Sequence, residues 1–281
     1  MDDETLDKDL RAIESRIARH PGYLNYAQAT TLLATIKHVV EPNWRELLAV
    51  LDAPNATPML ALELVQNVRK PVIRDKFRAT LDQKLHNYLA SAFTLVDHVR
   101  RIVEARNDEP VEKMLAAKPE LLANPEVPFM QDLRNFTLHR TLPVTSSRVN
   151  VTAPNQADMK MESFIELSVP SLLEWRKWTS ASKAFLADQG DAVNLRPVAA
   201  KHGELILTFN TVFFNNLEAA NAAHLDGLNE LMTQRNALLI GGSIEDATRL
   251  TDAWTRRRSG EDVPIPGFDG PLSVDTSSEP Q

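Results

Sequence analysis

The chain has 281 residues, 43% hydrophobic and 25% charged, which is enough apolar material for a sizeable core and too balanced for a disordered polymer. It contains no cysteine, which excludes disulfides, thiolate metal sites and a cysteine nucleophile, and fits a cytoplasmic protein independent of an oxidising compartment. Of the net −7, residues 259–281 contribute −5 and residues 1–9 contribute −4, so the body carries +2, a balance that permits an RNA partner without arguing for one.

The opening MDDETLDKDL is acidic and polar, without the basic and apolar regions of a signal peptide. No run approaches the roughly 18 to 20 apolar residues of a membrane span, so no membrane insertion is expected. Residues 5–19 place Leu6, Leu10, Ile13 and Ile17 at helical spacing, with His20-Pro21-Gly22 as a stop. A second helix is expected over Tyr26–Val40, a third from Pro42 carrying Trp44, Leu47, Leu48 and Leu51, with a break at Asp52–Asn55. A helix over Thr57–Arg69 should be interrupted at Pro71.

From Val72 to Ala105 there is neither Gly nor Pro, and Leu81, Leu85, Tyr88, Leu89, Ala92, Leu95, Val96, Val99, Ile102 and Val103 trace one apolar stripe. Such a helix spans roughly 50 Å. Asp97, Arg100, Arg101 and Glu104 fall together as a solvated, ion-paired face, and the adjacent Asp97 and His98 point too far apart to form a catalytic pair. Four prolines within 107–128 predict short helical pieces, followed by a helix over Phe129–Thr141 closed by Leu142-Pro143.

The textures of Ser147–Ala153 and Glu162–Val169 predict a small β-hairpin. Pro170 should open a helix running past Trp175 and Trp178 toward Leu186, ended by Gly190. A second long helix is expected from Arg196-Pro197 to Leu239, with Leu205, Phe209, Val212, Phe213, Leu217, Ala220, Leu225, Leu228 and Leu231 as core candidates, stopped by Gly241-Gly242. Ser243 should cap a last helix, with Asp246 completing a capping-box variant. Residues 259–281 read as a disordered acidic tail, leaving 1–258 as a single helical-bundle domain. The fold class expected is therefore mainly α, a bundle of long amphipathic helices with a small β-hairpin and a disordered C-terminal tail.

Common site motifs are missing from the sequence. No histidine stands three residues after an acid, as in di-iron bundles, and there is no His-Glu-x-x-His zinc motif, phosphate loop, dinucleotide fingerprint or nucleophile elbow. No metal or cofactor is expected.

What remains is Arg134-Asn135-x-x-x-His139, inside a predicted helix. It resembles the Arg-x4–6-His signature of the HEPN superfamily of helical bundles, in which a polar residue commonly follows the arginine, and the helices around it resemble bacterial proteins of this kind. The resemblance covers Arg134 to His139; the surrounding helices agree in class only. It implies a metal-independent endoribonuclease or a catalytically inactive relative, in a toxin, defence or RNA-processing context, acting as a homodimer in which two motifs face each other.

On that reading Arg134 binds the scissile phosphate, His139 moves a proton and Asn135 orients them; a guanidinium can stabilise the growing phosphate charge and an imidazole can act near neutral pH. Positions five apart lie roughly 140° around a helix, so Arg134 and His139 do not share a narrow face, whereas Asn135 and His139, four apart, can. Spacing alone is cheap: Arg196 and His202 also satisfy Arg-x5-His, with Pro197 in place of the polar residue. The alternative is a non-catalytic helical interaction or scaffold protein whose Trp175, Trp178, Phe209, Phe213 and Phe214 form core and protein-partner surface. A third reading, RNA binding without cleavage, would draw on Arg256, Arg257 and Arg258.

Overall fold

In the computed structural model, residues 3–66, 71–140, 142–143, 145–152, 160–258, 261 and 263 are described. Their architecture is mainly α with a small three-stranded antiparallel sheet. The tail expected over 259–281 lies outside the described residues apart from two positions, as do residues 67–70, before the interruption expected at Pro71. Contacts gather the described residues into two compact units, Gln28–Ala220 and, separately, those up to Ala27 with those from Asn221 onward; the division falls within the helices Pro21–Ala34 and Leu195–Ile240.

In the larger unit, α2 (Pro21–Ala34) passes into a π-helical segment, Thr35–Val40, and then α3 (Glu41–Ala56). The proline at 42 therefore does not begin a separate helix. A proline ring clashes with the carbonyl four residues back, and the wider π turn, in which the Glu41 amide donates to the Ile36 carbonyl five residues back, relieves that crowding. Asn43 Nδ2 then donates to the Val39 carbonyl at 2.7 Å.

The break expected at 52–55 is also displaced: Pro54 sits in the last turn of α3, where few hydrogen bonds remain to be lost, and the chain turns at Thr57 into α4 (Pro58–Gln66). Asn55 uses its whole amide on β2, Nδ2 donating to the Ser163 carbonyl at 3.0 Å and Oδ1 accepting from the Ser163 amide at 2.6 Å.

The long helix α5 (Pro71–Ala105) buries Leu81, Leu85, Tyr88, Leu89, Ala92, Leu95 and Ile102 of the stripe its periodicity predicts, while Val99 and Val103 are half-buried and Val96 is exposed, because that edge of the stripe borders a cavity rather than packed side chains. Arg100 pairs with Asp97 at 3.0 Å and with Glu104 at 3.8 Å on the solvated face. Asp97 and His98 diverge: His98 Nδ1 lies 2.8 Å from the Thr35 hydroxyl, which itself donates to the Thr31 carbonyl. Between α5 and the motif, α6 (Glu109–Ala123) runs unbroken through Pro119, one lost hydrogen bond being insufficient to end a helix whose other turns persist. The motif helix α7 spans Glu126–His139.

The hairpin forms as β1 (Thr145–Thr152) against β2 (Lys160–Ser168), with Arg148 opposite Phe164. A third strand, β3 (Ala192–Asn194), adds to the other edge of β2, an element too short to leave a periodic signal. The single helix expected from Pro170 to Leu186 is two: α8 (Val169–Leu173) and α9 (Ser180–Asp188). The Trp178 indole takes the Leu172 carbonyl at 2.7 Å, which would otherwise propagate the helix. Thr179 restarts it as an N-cap, its amide and hydroxyl both held by Asp132 Oδ2 at 2.8 and 2.7 Å. Trp175 and Trp178 pack with Phe129, Phe136 and Phe185 in the core.

The second long helix, α10 (Leu195–Ile240), buries Leu195, Ala199, His202, Ile206, Asn210, Phe213 and Leu217. Of the expected core positions Phe213, Leu217, Leu228 and Leu231 are buried, whereas Leu205, Phe209 and Leu225 are half-buried and Val212 and Ala220 exposed; in the first half of the helix the inward face is held by His202, Ile206 and Asn210, two of them polar.

In the smaller unit, Ile13 and Ile17 of α1 (Asp3–Arg19) pack with Leu228 and Leu231 of α10. Gly241, at φ 61°, ends α10 in a Schellman closure: the Gly242 amide donates to Ala237 and the Gly241 amide to Leu238. Ser243 and Asp246 then exchange the expected capping-box bonds at the start of α11 (Ile244–Arg258). Among the described residues, no single helix is long and apolar enough to cross a membrane.

Candidate functional site

α7 is fixed in place by Val127, Phe129, Met130, Leu133 and Phe136, all buried, so its remaining face is set by geometry rather than by choice of rotamer. Arg134 turns toward α5, its guanidinium 3.6 Å from the centroid of the Phe93 ring. Its Nη1 donates to Asn135 Oδ1 at 3.1 Å, while its Nε is shielded from solvent and has no hydrogen-bond partner. Burial pulls this guanidinium below the usual arginine range, opposed by the nearby carboxylate of Asp97.

Arg134 and Asn135 open into a cavity of about 450 Å³ walled by α5, α6, α7 and α10. Most of the wall is hydrocarbon or aromatic, including Phe93, Val96, Val99, Met114, Leu122 and Phe209. Its charged side chains are Arg100, Lys118, Arg134 and Asp132, the last already engaged by Thr179. His202 and Asn210 reach it from α10.

His139 is elsewhere. It is the last residue of α7, exposed and outside the cavity, and its side chain makes no hydrogen bond or ion pair among the described residues, Asn135 included. Next to it, Arg140 anchors the helix end through Glu174, with Nη2 2.6 Å from Oε2. The chain thus brings Arg134 and Asn135 together and leaves His139 apart.

The second Arg-x5-His spacing has a structural explanation. Arg196 forms a two-pronged ion pair with Asp52, at 2.7 and 3.0 Å, and His202 is fully buried with Nδ1 2.5 Å from the Tyr88 phenol. Arg256 pairs with Glu261 at 2.7 Å. Phe93, His202 and Asn210 escaped sequence reasoning as cavity residues; the available signal was that His202 and Asn210 stand in phase with the buried stripe of α10, where a polar side chain needs a reason. No group of acids and histidines suited to a metal ion occurs among the described residues. No protein-family model, curated protein or solved structure matches the chain.

Proposed function

We propose that the chain is a HEPN-like, metal-independent endoribonuclease that works as a homodimer, with Arg134, Asn135 and His139 as its working residues. The observation that supports this reading is the state of the two ends of the motif: Arg134 is braced by Asn135 yet retains an unpaired Nε, and His139 is exposed and uncommitted on the same helix. A guanidinium with a spare donor suits a phosphate, and an accessible imidazole suits proton transfer.

Because the two groups do not share a pocket within one protomer, the reading requires a second copy to bring paired motifs to one phosphodiester. The 2′-hydroxyl attacks phosphorus as one His139 takes its proton, the P–O5′ bond breaks, and the other His139 protonates the leaving oxygen, giving a 2′,3′-cyclic phosphate and a 5′-hydroxyl. The test is cleavage of end-labelled RNA in EDTA. His139→Ala and Arg134→Ala should each lower the rate about 100-fold or more, and activity should fall on dilution below the dimer's dissociation constant. Unchanged cleavage in either variant removes that residue from the mechanism.

A second reading has its own support. The packing of Arg134 on Phe93 is also what a structural arginine does, and a non-catalytic interaction protein needs no role for His139. It predicts no EDTA-resistant cleavage and a loss of stability in Arg134→Ala alone.

A further inference from the structure

We propose that the cavity between α5, α6, α7 and α10 binds a linear amphipathic carboxylate of medium chain length, its head on Arg134 and its chain along the apolar wall. The volume, about 450 Å³, lies within the roughly 300–1,000 Å³ of small-molecule sites.

Three observations select the occupant. The first is the buried, unpartnered Nε of Arg134, an orphan donor of a kind folded proteins rarely tolerate. With Nη1 committed to Asn135 and Nε enclosed, Nη2 is the donor left to meet a carboxylate oxygen in the cavity that the Arg134 side chain lines. The second is charge: Arg100 is offset by Asp97 and Glu104, which leaves Lys118 and Arg134 on the cavity against Asp132, whose Oδ2 is occupied by Thr179. The third is the wall itself. Val96, Val99, Met114 and Leu122 offer a small hydrophilic anion nothing, and call for hydrocarbon.

This site shares Arg134 with the nuclease reading but does not rest on it, and its test contains no RNA. Full-length protein is titrated calorimetrically with decanoate, with 1-decanol and with butyrate. Decanoate should bind with one site per chain, and decanol and butyrate each about tenfold or more weakly, the cost of losing a charge-assisted bond or the chain. Arg134→Gln should weaken decanoate about tenfold while leaving decanol unchanged, which shows the cavity intact, and Arg134→Lys should fall between. Val99→Trp, which fills the cavity, should abolish binding of decanoate. Absence of decanoate binding to the wild-type protein, equal affinity for decanoate and decanol, or an Arg134→Gln variant that binds decanoate normally overturns the proposal.

Discussion

The Tyr88 phenol and the His202 imidazole, one from each long helix, meet at 2.5 Å with both side chains fully enclosed. Burial raises the Tyr88 pKa, so the phenol stays protonated and donates to Nδ1, leaving the His202 proton on Nε2. Burial also pushes His202 down to about 3. The folded state therefore keeps His202 neutral where the unfolded chain protonates it. Its contribution is complete above about pH 6.5 and declines by about 1.4 kcal/mol per pH unit as pH falls toward 3.

Urea denaturation at pH 7, 5 and 4 checks this. The double variant Tyr88→Phe/His202→Leu removes both partners and should lose that part of the acid dependence, whatever slope the carboxylates impose on both proteins. Tyr88→Phe alone should cost about 1–3 kcal/mol at pH 7 by orphaning Nδ1. Equal acid slopes in the wild-type protein and the double variant would refute the buried neutral imidazole.

Gly203 is demanded by Trp44. A Cβ built on Gly203 would stand 2.1 Å from the indole Nε1, which donates to the Ala199 carbonyl at 2.9 Å. Alanine is the better helix former by about 1 kcal/mol, yet Gly203→Ala should destabilise by about 3 kcal/mol in chemical denaturation. Adding Trp44→Leu should recover part of that loss, so the two substitutions should be non-additive in a double-mutant cycle.

The Asn55 amide stands where a neighbouring strand would be. Asn55→Ala should cost about 1–3 kcal/mol and speed hydrogen exchange at the Ser163 amide. Asn55→Asp keeps the acceptor for that amide and repels the carbonyl, so protection at Ser163 should survive better than stability does. Unaltered exchange in Asn55→Ala would mean the amide is protected by something else.

Nuclease and carboxylate readings both draw on Arg134. If both hold, saturating decanoate should suppress RNA cleavage in EDTA, with inhibition relieved by more RNA. Cleavage indifferent to bound decanoate would show that the two ligands do not compete for this guanidinium.

Helices were legible in the sequence wherever an uninterrupted stripe met a clear stop, as in α5 and at Gly241-Gly242. Prolines misled: Pro42, Pro54 and Pro119 read as boundaries, but a π turn, a position in a last turn and intact neighbouring bonds absorb them. The α8–α9 break depends on the Trp178 indole taking a backbone carbonyl and on Asp132, 47 residues from Thr179, so local pattern carried no trace of it. The inward face of α10 was legible at Phe213, Leu217, Leu228 and Leu231 and missed before them, where His202 and Asn210 occupy it. At the candidate site the motif located Arg134 and Asn135, whereas the cavity beside them draws on four helices whose packing no six-residue pattern encodes.

The π-helical segment before Pro42 adds one residue to a turn, so the rod from Leu32 to Leu51 keeps time like a clock with one long beat. Leu32, Ile36 and Val40 fall four apart and all point inward, and Leu47 and Leu51 resume on the same side beyond it. The extra residue serves as a phase corrector: it lets a helix that must carry a proline present one buried face to α5 from the π segment through α3.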